Sequence, residues 1–292
     1  MTASRGTRGP DFLVIGAQRS GTTWLHRVLR KHPALWLPPV KELHYFDQLT
    51  AGRTWQHQGR WRRIRRTLVS GRDILDPWHL RYVLGKRNDE WYASLFRQGR
   101  SRGAVTGEIT PAYAKLDEET FERIRRINPE VALIFVMRDP VNRAWSAVNA
   151  GFRNSRLAGP LTLTYALEHS QKPSLVARSA YTETIRRVEA VFSPTQIHYC
   201  FFDELKDQPE RFVTDVLTFL GVDSDRVGRL LPKGTVNSAA GSSPIPFEFQ
   251  HKIAAQYLPM VEELCQRFDG PPQKWRARYQ KLLSKAGARS AA

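Results

Sequence analysis

Cysteine is scarce in this chain: Cys200 and Cys265 are the only two among 292 residues. They leave room for one disulfide at most, and their spacing carries no metal or redox motif. Cys200 lies in the apolar run Ile197-His-Tyr-Cys-Phe-Phe202 and Cys265 on an amphipathic stretch, so both read as buried structural thiols. Long apolar runs are missing too. None approaches the roughly 20 residues that a bilayer-spanning helix needs, and no membrane span is expected. Residues 1–10 lack the apolar centre of a secretory signal; they read as a short disordered arm, and residues 284–292 as a disordered tail. Acidic residues are too few to balance the basic ones: 28 Asp and Glu stand against 45 Lys and Arg, a net charge of +17. Such a surplus admits three readings: nucleic-acid binding, an acidic acceptor such as a polyanionic glycan or lipid surface, or a solvated basic face. The basic residues are densest between residues 53 and 102, where Arg60, Arg62, Arg63, Arg65 and Arg66 crowd together. That irregular, Trp-rich segment is where recognition of a binding partner is expected, because loops on a rigid scaffold carry specificity.

What is present is a globular α/β chain. Hydrophobic residues make up 41% and aromatic residues 11% of it, enough for a sizeable core, and no linker divides residues 1–292, so a single domain is expected. Phe12 to Ile15 is a fully apolar run of the kind buried on both faces of a sheet. Gly16 closes it, and Leu25, Val28 and Leu29 then recur at helical spacing. The order strand, glycine loop, helix turns backbone N–H groups and a helix N-terminus toward one point, which makes an anion site. The spacing Gly16-x-x-x-x-Gly21 is that of a P-loop, but the lysine that a nucleotide triphosphatase carries next is absent. Thr22-Thr23 stand there, and the cation comes earlier, at Arg19. A displaced cation points to another anion, bound without metal; the plain alternative is a glycine turn with no ligand.

Further segments alternate in the same way. Leu35 to Leu37 and Ala104 to Glu108 read as short strands, Val131 to Met137 and Ile197 to Phe202 as buried ones. Helices are expected near 64–68 and 90–97, over 117–127, from Asp139-Pro140 onward, along the Tyr181–Phe192 stripe and up to Gly221. Residues 232–246 read as a long loop, followed by two helices broken at Leu258-Pro259 and a last one over 273–283. The sum is a P-loop-like central parallel sheet with helices on both faces.

Three segments together resemble one family. Gln18-Arg-Ser-Gly-Thr-Thr-Trp-Leu25 resembles the 5′-phosphosulfate loop of sulfotransferases that use 3′-phosphoadenosine-5′-phosphosulfate (PAPS). Lys41-Glu-Leu-His-Tyr-Phe-Asp47 resembles a Lys-Glu-x-His-Phe-Phe-Asp segment of the heparan-sulfate branch, and Val136-Met-Arg-Asp-Pro-Val-Asn-Arg-Ala-Trp-Ser146 the 3′-phosphate motif. The resemblance implies a PAPS donor, adenosine 3′,5′-bisphosphate as product, no metal, and in-line transfer to a hydroxyl or amine of a saccharide, glycolipid or secondary-metabolite acceptor. It implies that Arg19 is the leaving-group cation, with Ser20, Gly21, Thr22 and Thr23 around the phosphosulfate and Trp24 on adenine or in helix packing. Arg138 and Ser146 match the 3′-phosphate ligands, with Arg143 as a weaker addition, either ligand or exposed. Tyr181 lies near the cofactor or in the core, and Lys233-Gly234-Thr235 resembles a loop over the cofactor. Glu42 is the expected base, with His44 as the fallback; Lys41, His44 and Asp47 are expected to line the acceptor or hold the base. Ile109 stands where the heparan branch has a lysine in its Glu-Lys-[Ser/Thr]-Pro-x-Tyr segment, which argues against heparan-like acceptor recognition. A soluble, cytoplasmic enzyme of bacterial type is expected, with no nucleic-acid partner. Two rivals stand beside this reading: a P-loop small-molecule kinase, for which Asp139 would be the Mg²⁺ ligand, and a basic nucleic-acid-binding protein with a vestigial P-loop fold.

Overall fold

The computed structural model of the chain describes residues 8–49, 76–155, 159–225, 227–232 and 244–290. The buried runs become one parallel sheet. Its strands are β1 (Phe12–Gly16), β2 (Leu35–Trp36), β3 (Val105–Ile109), β4 (Ala132–Met137) and β5 (Ile197–Phe201). They lie in the order β2-β3-β1-β4-β5, with every neighbouring pair parallel. Leu13 and Ile15 of β1, with Leu133, Phe135 and Met137 of β4, pack into one apolar cluster; Phe12, Val14, Ile134 and Val136 pack into a second. Both faces of these strands are buried, so their sequences are apolar without alternation.

Helices of eight or more residues are α1 (Thr22–Leu29), α2 (Pro77–Leu84), α3 (Glu118–Ile127), α4 (Pro140–Asn154), α5 (Leu163–Ser170), α6 (Tyr181–Glu189), α7 (Pro209–Phe219), α8 (Phe247–Arg267) and α9 (Pro271–Ser290). Leu25, Val28 and Leu29 of α1 and Phe212, Val213, Val216 and Leu217 of α7 cover one face of the sheet. Phe121 of α3, Val141 and Trp145 of α4, Ile185 of α6, Phe249 of α8 and Tyr279 of α9 belong to the cluster on the other. This is the doubly covered parallel sheet expected from the alternation of strands and helices.

Several expectations are corrected. The break at Pro259 does not occur: α8 runs unbroken through it. A proline inside a helix costs about 3 kcal/mol. The apolar stripe on both sides of it, Phe249, Ile253, Ala254, Tyr257, Val261 and Leu264, is buried, at roughly 1.5–3 kcal/mol for each large side chain, and outweighs that cost. The last helix extends to Ser290, so residues 284–290 are helical rather than a disordered tail. Gly9 and Pro10 are buried, and their carbonyls accept from Arg100 Nη1 at 3.0 Å and Asn128 Nδ2 at 2.7 Å, so these two residues are ordered, against the expectation for residues 1–10. The helix expected near 90–97 is two short ones, Asp89–Ser94 and Arg97–Arg100. Cys200 is buried, whereas Cys265 is half-buried; both are free thiols. The helix expected near 64–68 and most of the 232–246 loop lie outside the described residues.

One buried carboxylate joins the sheet to the loop over residues 41–47. Glu108 is second to last in β3 and 2% exposed. It accepts from Leu43 N (3.2 Å), Thr110 Oγ1 (2.6 Å), Tyr113 Oη (3.0 Å) and Tyr92 Oη. Tyr113 Oη in turn accepts from Tyr45 N at 3.0 Å. Burial pushes the Glu108 carboxyl above the usual range, against the pull of the hydroxyls of Thr110, Tyr92 and Tyr113. Truncating the carboxylate strands several buried donors, each costing about 1–3 kcal/mol. Glu108→Ala is therefore expected to lose roughly 3 kcal/mol and about 6–12 °C of Tm by calorimetry, with Glu108→Gln intermediate. An unchanged Tm in the alanine variant would show that the loop is held by other contacts.

Candidate active site

The chain leaves β1 toward β2 and β3 on one side and returns to β4 and β5 on the other, so the strand order reverses at β1. In such sheets ligands bind beyond the carboxyl ends of the strands at the point of reversal. The loops that follow β1, β3 and β4 all open on that edge, and they carry the residues singled out from the sequence.

After β1, Arg19 and Gly21 both adopt left-handed backbone, with φ of 75° and 80°. Gly21 has a second reason to be glycine: a Cβ there would lie 2.9 Å from the Phe202 ring. The turn delivers the chain into α1 without a side-chain cap and without an acid in the first turn. The opening amides of α1 have no carbonyl four residues back, so the positive end of the helix is free to meet an anion. Ser20 is fully buried, and its Oγ has no hydrogen-bond partner among the described residues. Thr22 is buried, Thr23 is exposed, and Trp24 is half-buried against the apolar cluster on the α1 face.

The loop after β4 locks onto this turn. Arg138 Nη1 donates to the Arg19 carbonyl at 2.7 Å, and its guanidinium lies 4.4 Å from the Phe202 ring centre. Arg19 Nε donates to Ser146 Oγ at 3.0 Å. The loop of β1 and α4 are thereby held as one unit, and the terminal nitrogens of Arg19 make no hydrogen bond or ion pair with any described residue. Burial and the charges of Arg153 and Arg143 lower the pKa of Arg19. A cation pressed by like charges gains from an anionic neighbour. Tyr181 is fully buried and donates from Oη to the Arg138 carbonyl at 2.7 Å, so it supports the loop from within the core. Arg143 is not exposed, as one reading allowed, but 1% accessible; it donates to Ser179 Oγ and, at 2.9 Å, to the Leu175 carbonyl. Asp139, the Mg²⁺ ligand of the kinase reading, is otherwise engaged: it caps α4 through Asn142 N at 2.9 Å and pairs with Arg278 at 2.6 Å.

The 41–47 loop carries a chain of charges. Lys41 Nζ pairs with Glu42 Oε1, His44 Nε2 lies 3.3 Å from Glu42 Oε2, and His44 Nδ1 lies 2.9 Å from Asp47 Oδ2. Glu42 and His44 are both left-handed, at φ of 60° and 54°, a conformation that Glu108 supports by holding Leu43 between them. Burial opposes ionisation of Glu42, but the hydrogen bond with His44 and the charge of Lys41 overcome it, and the carboxyl titrates at about 2. Burial likewise opposes the charge of His44, and its hydrogen bonds to Asp47 and Glu42 outweigh that, raising the imidazole to about 9. At neutral pH Glu42 is therefore a carboxylate and His44 an imidazolium. Tyr45 and Phe46 are buried, as expected of packing residues. Lys41 and Glu42 also reach the field of His26 on α1; burial, Lys41 and Arg30 lower that imidazole to about 4. Lys233, Gly234 and Thr235 lie outside the described residues. The support from Glu108 was not singled out from the sequence, because nothing in a strand residue tells which loop will fold over it.

The sulfotransferase family model matches residues 10–226, about three quarters of the chain. The membrane-associated sulfotransferase kil1 of Dictyostelium discoideum is 28% identical over 162 residues, 55% of this chain and 27% of that protein. Heparan sulfate glucosamine 3-O-sulfotransferase 5 of Mus musculus is 23% identical over 214 residues, 68% of this chain and 50% of that protein. The chain thus spans half the length of these relatives or less. A sulfotransferase from Alicyclobacillus acidocaldarius shares the fold with a TM-score of 0.61 at 22% identity, over 94% of this chain and all of that one. Mouse sulfotransferase SULT7A1, solved with PAP, shares it with a TM-score of 0.52 at 14% identity, over 93% of this chain and 91% of that one. Among the described residues no helix is long and apolar enough to cross a membrane. With the parallel sheet, the glycine loop at its reversal point and a family match over most of its length, the chain belongs to the sulfotransferase family.

Proposed function

We propose that this protein transfers the sulfuryl group of PAPS to a hydroxyl or amine of a saccharide, glycolipid or secondary-metabolite acceptor, with Glu42 as the base. The observation that carries this reading is the convergence of Arg19, the buried Ser20 Oγ and the free amides of α1 on one point, beside Arg138 and Ser146. Both sets belong to one sheet, which supports a single catalytic domain. Relatives act on heparan sulfate glucosamine, and one structural neighbour is complexed with PAP.

The residues fit an adenosine bisphosphate with an activated sulfate. Bound there, PAPS supplies a sulfuryl group with a phosphate leaving group. By analogy with phosphoryl transfer the transition state is loose, so positioning and charge carry most of the work. Ser20 Oγ and the amides of residues 21–23 would hold the 5′ end, with Thr22 and Thr23 hydroxyls beside them. Arg138 and Ser146 would hold the 3′-phosphate. Arg19 would meet the charge that develops on the leaving oxygen; as an arginine it offers two N–H bonds but no proton. Trp24 and the Lys233-Gly234-Thr235 segment are further donor contacts in this reading. Glu42 would take the acceptor proton: it is ionised, whereas His44 already carries its proton and serves to orient the carboxylate. Lys41 and Asp47 complete the acceptor side.

Titration calorimetry with adenosine 3′,5′-bisphosphate, beside ATP with and without Mg²⁺, tests the donor. Micromolar binding of the bisphosphate without metal is expected, with ATP much weaker; binding of Mg-ATP alone would return the kinase reading. Glu42→Gln should lower kcat by about 10²–10⁴, the usual share of a general base, while the bisphosphate Kd stays within about twofold. Arg138→Ala should weaken bisphosphate binding about tenfold or more, the worth of a charged hydrogen bond. The pH profile separates the two bases. Glu42, depressed to about 2, gives no acid limb above about pH 4.5, and its pairing supports stability until the pH falls toward 2. The raised pKa of His44 means that its pairing is complete below about 6.5 and lost as the pH rises through about 9. The rate should therefore be flat from about pH 5 to 8 and fall above 9. A rate that climbs tenfold per unit from pH 7 to 9 would make His44 the base.

A further inference from the structure

One cation beside the acceptor loop has no task in the scheme above. Arg178 lies on the short 3-10 turn Ala177–Ser179, which packs against the turn Pro111–Lys115 that follows β3. The latter also packs against the one-turn helix Phe46–Leu49, at the end of the Lys41–Asp47 segment. The position of Arg178 is well defined by its neighbours. Arg143 donates to Ser179 Oγ and to the Leu175 carbonyl, and Thr184 Oγ1 donates to the Ala114 carbonyl at 2.8 Å, so both turns are anchored to buried helix residues.

Arg178 itself makes no hydrogen bond or ion pair with any described residue, and its buried Nε is unsatisfied. Arg143 Nη1, in a side chain 1% exposed, is in the same condition. Buried guanidinium N–H groups nearly always find an acceptor within the protein, because an unmet one costs heavily. The charge of Arg178 acts on Glu42 and on Lys115, and that of Asp47 on Lys115. The turns that carry Arg178 and Lys115 thus pack in series against the helix that ends the Lys41–Asp47 segment, and their charges act on Glu42 and Asp47. With His44 as imidazolium, four of the described cations, Lys41, His44, Lys115 and Arg178, stand with two described carboxylates, Glu42 and Asp47. A neutral hydroxyl gains nothing from that surplus, whereas an anionic group next to it is paired.

We propose that Arg178 is an acceptor-recognition residue that binds an anionic oxygen group, a carboxylate or a sulfate ester, carried by the acceptor beside the hydroxyl or amine that is sulfated. Lys115 supplies the second positive charge of this subsite. The proposal rests on the sulfuryl-transfer reading above and names the chemical class of its acceptor. A planar guanidinium suits both groups, since it can donate two parallel N–H bonds to either.

The test uses the full chain saturated with adenosine 3′,5′-bisphosphate and three 4-nitrophenyl glycosides: the β-glucuronide, the β-glucoside 6-sulfate and the neutral β-glucoside. Calorimetry on the wild type is expected to show at least one anionic glycoside binding about tenfold or more tighter than the neutral one, the worth of a charge-assisted hydrogen bond. Arg178→Ala should bring the three within about threefold of one another, Arg178→Lys should keep part of the preference, and both should bind the bisphosphate like the wild type. That last measurement also shows that the variants are folded. Equal binding of the three glycosides, binding of none, or a preference unchanged in Arg178→Ala would overturn the proposal. A loss of bisphosphate affinity in Arg178→Ala would assign this arginine to the donor instead. Failure of the wild type to bind the bisphosphate at all would remove the sulfuryl-transfer reading, and this proposal with it.

Discussion

The candidate site depends on one buried carboxylate. Glu108 sits in the sheet and gathers the backbone of Leu43 and three hydroxyls around it. On either side of Leu43 the backbone is left-handed, a region that side chains with a Cβ rarely occupy. Such a conformation persists only where its surroundings over-determine it. A buried carboxylate held in place by three hydroxyls does so, because Leu43 N would lose its acceptor if the loop relaxed, and Tyr45 N its bond to Tyr113 Oη. The same anchor ties the segment that carries Glu42 to the end of β3.

Charge organises the rest. Among the described residues several cations gather at one place. Arg19 and Arg138 meet in the loops that follow β1 and β4, with the charge of Arg143 acting on Arg19, and burial presses on both Arg19 and Arg138. Like charges held together in a half-buried space are a standing cost that an anionic ligand relieves. The Lys41–Glu42–His44–Asp47 chain follows the opposite logic, alternating in sign and satisfied within itself. Unbalanced cation at the β1 loop thus stands beside a segment whose own charges alternate in sign.

The acid pattern also separates two groups that look alike on paper. Glu42 and His44 are neighbours in the same segment, and either could take a proton. Their mutual pairing drives the carboxyl down and the imidazole up, so one is ionised and the other already protonated across the neutral range. The rarer helix details follow from the same balance of large terms. Pro259 is tolerated because the stripe of buried residues on both sides of it contributes more than the proline removes.

Strand identity and the glycine turn were legible in the chain itself. Phe12–Ile15 and Val131–Met137 are apolar without interruption, and Asp139-Pro140 is a cap followed by a compatible first residue; these are local properties of neighbouring residues, and they determined a parallel α/β sheet with a loop built for an anion. The unbroken α8, the burial of Arg143, the pairing of Arg19 with Ser146 across 127 positions and the hold of Glu108 on Leu43 were decided only by tertiary structure. Each depends on which segment lies across from which, and side chains distant in sequence meet only once the sheet order and helix packing bring their elements together. By itself the sequence determined what the strands and turns are made of; which charges face one another, and therefore which of them titrate, was settled by the folded geometry, because burial and pairing have no meaning along an extended chain.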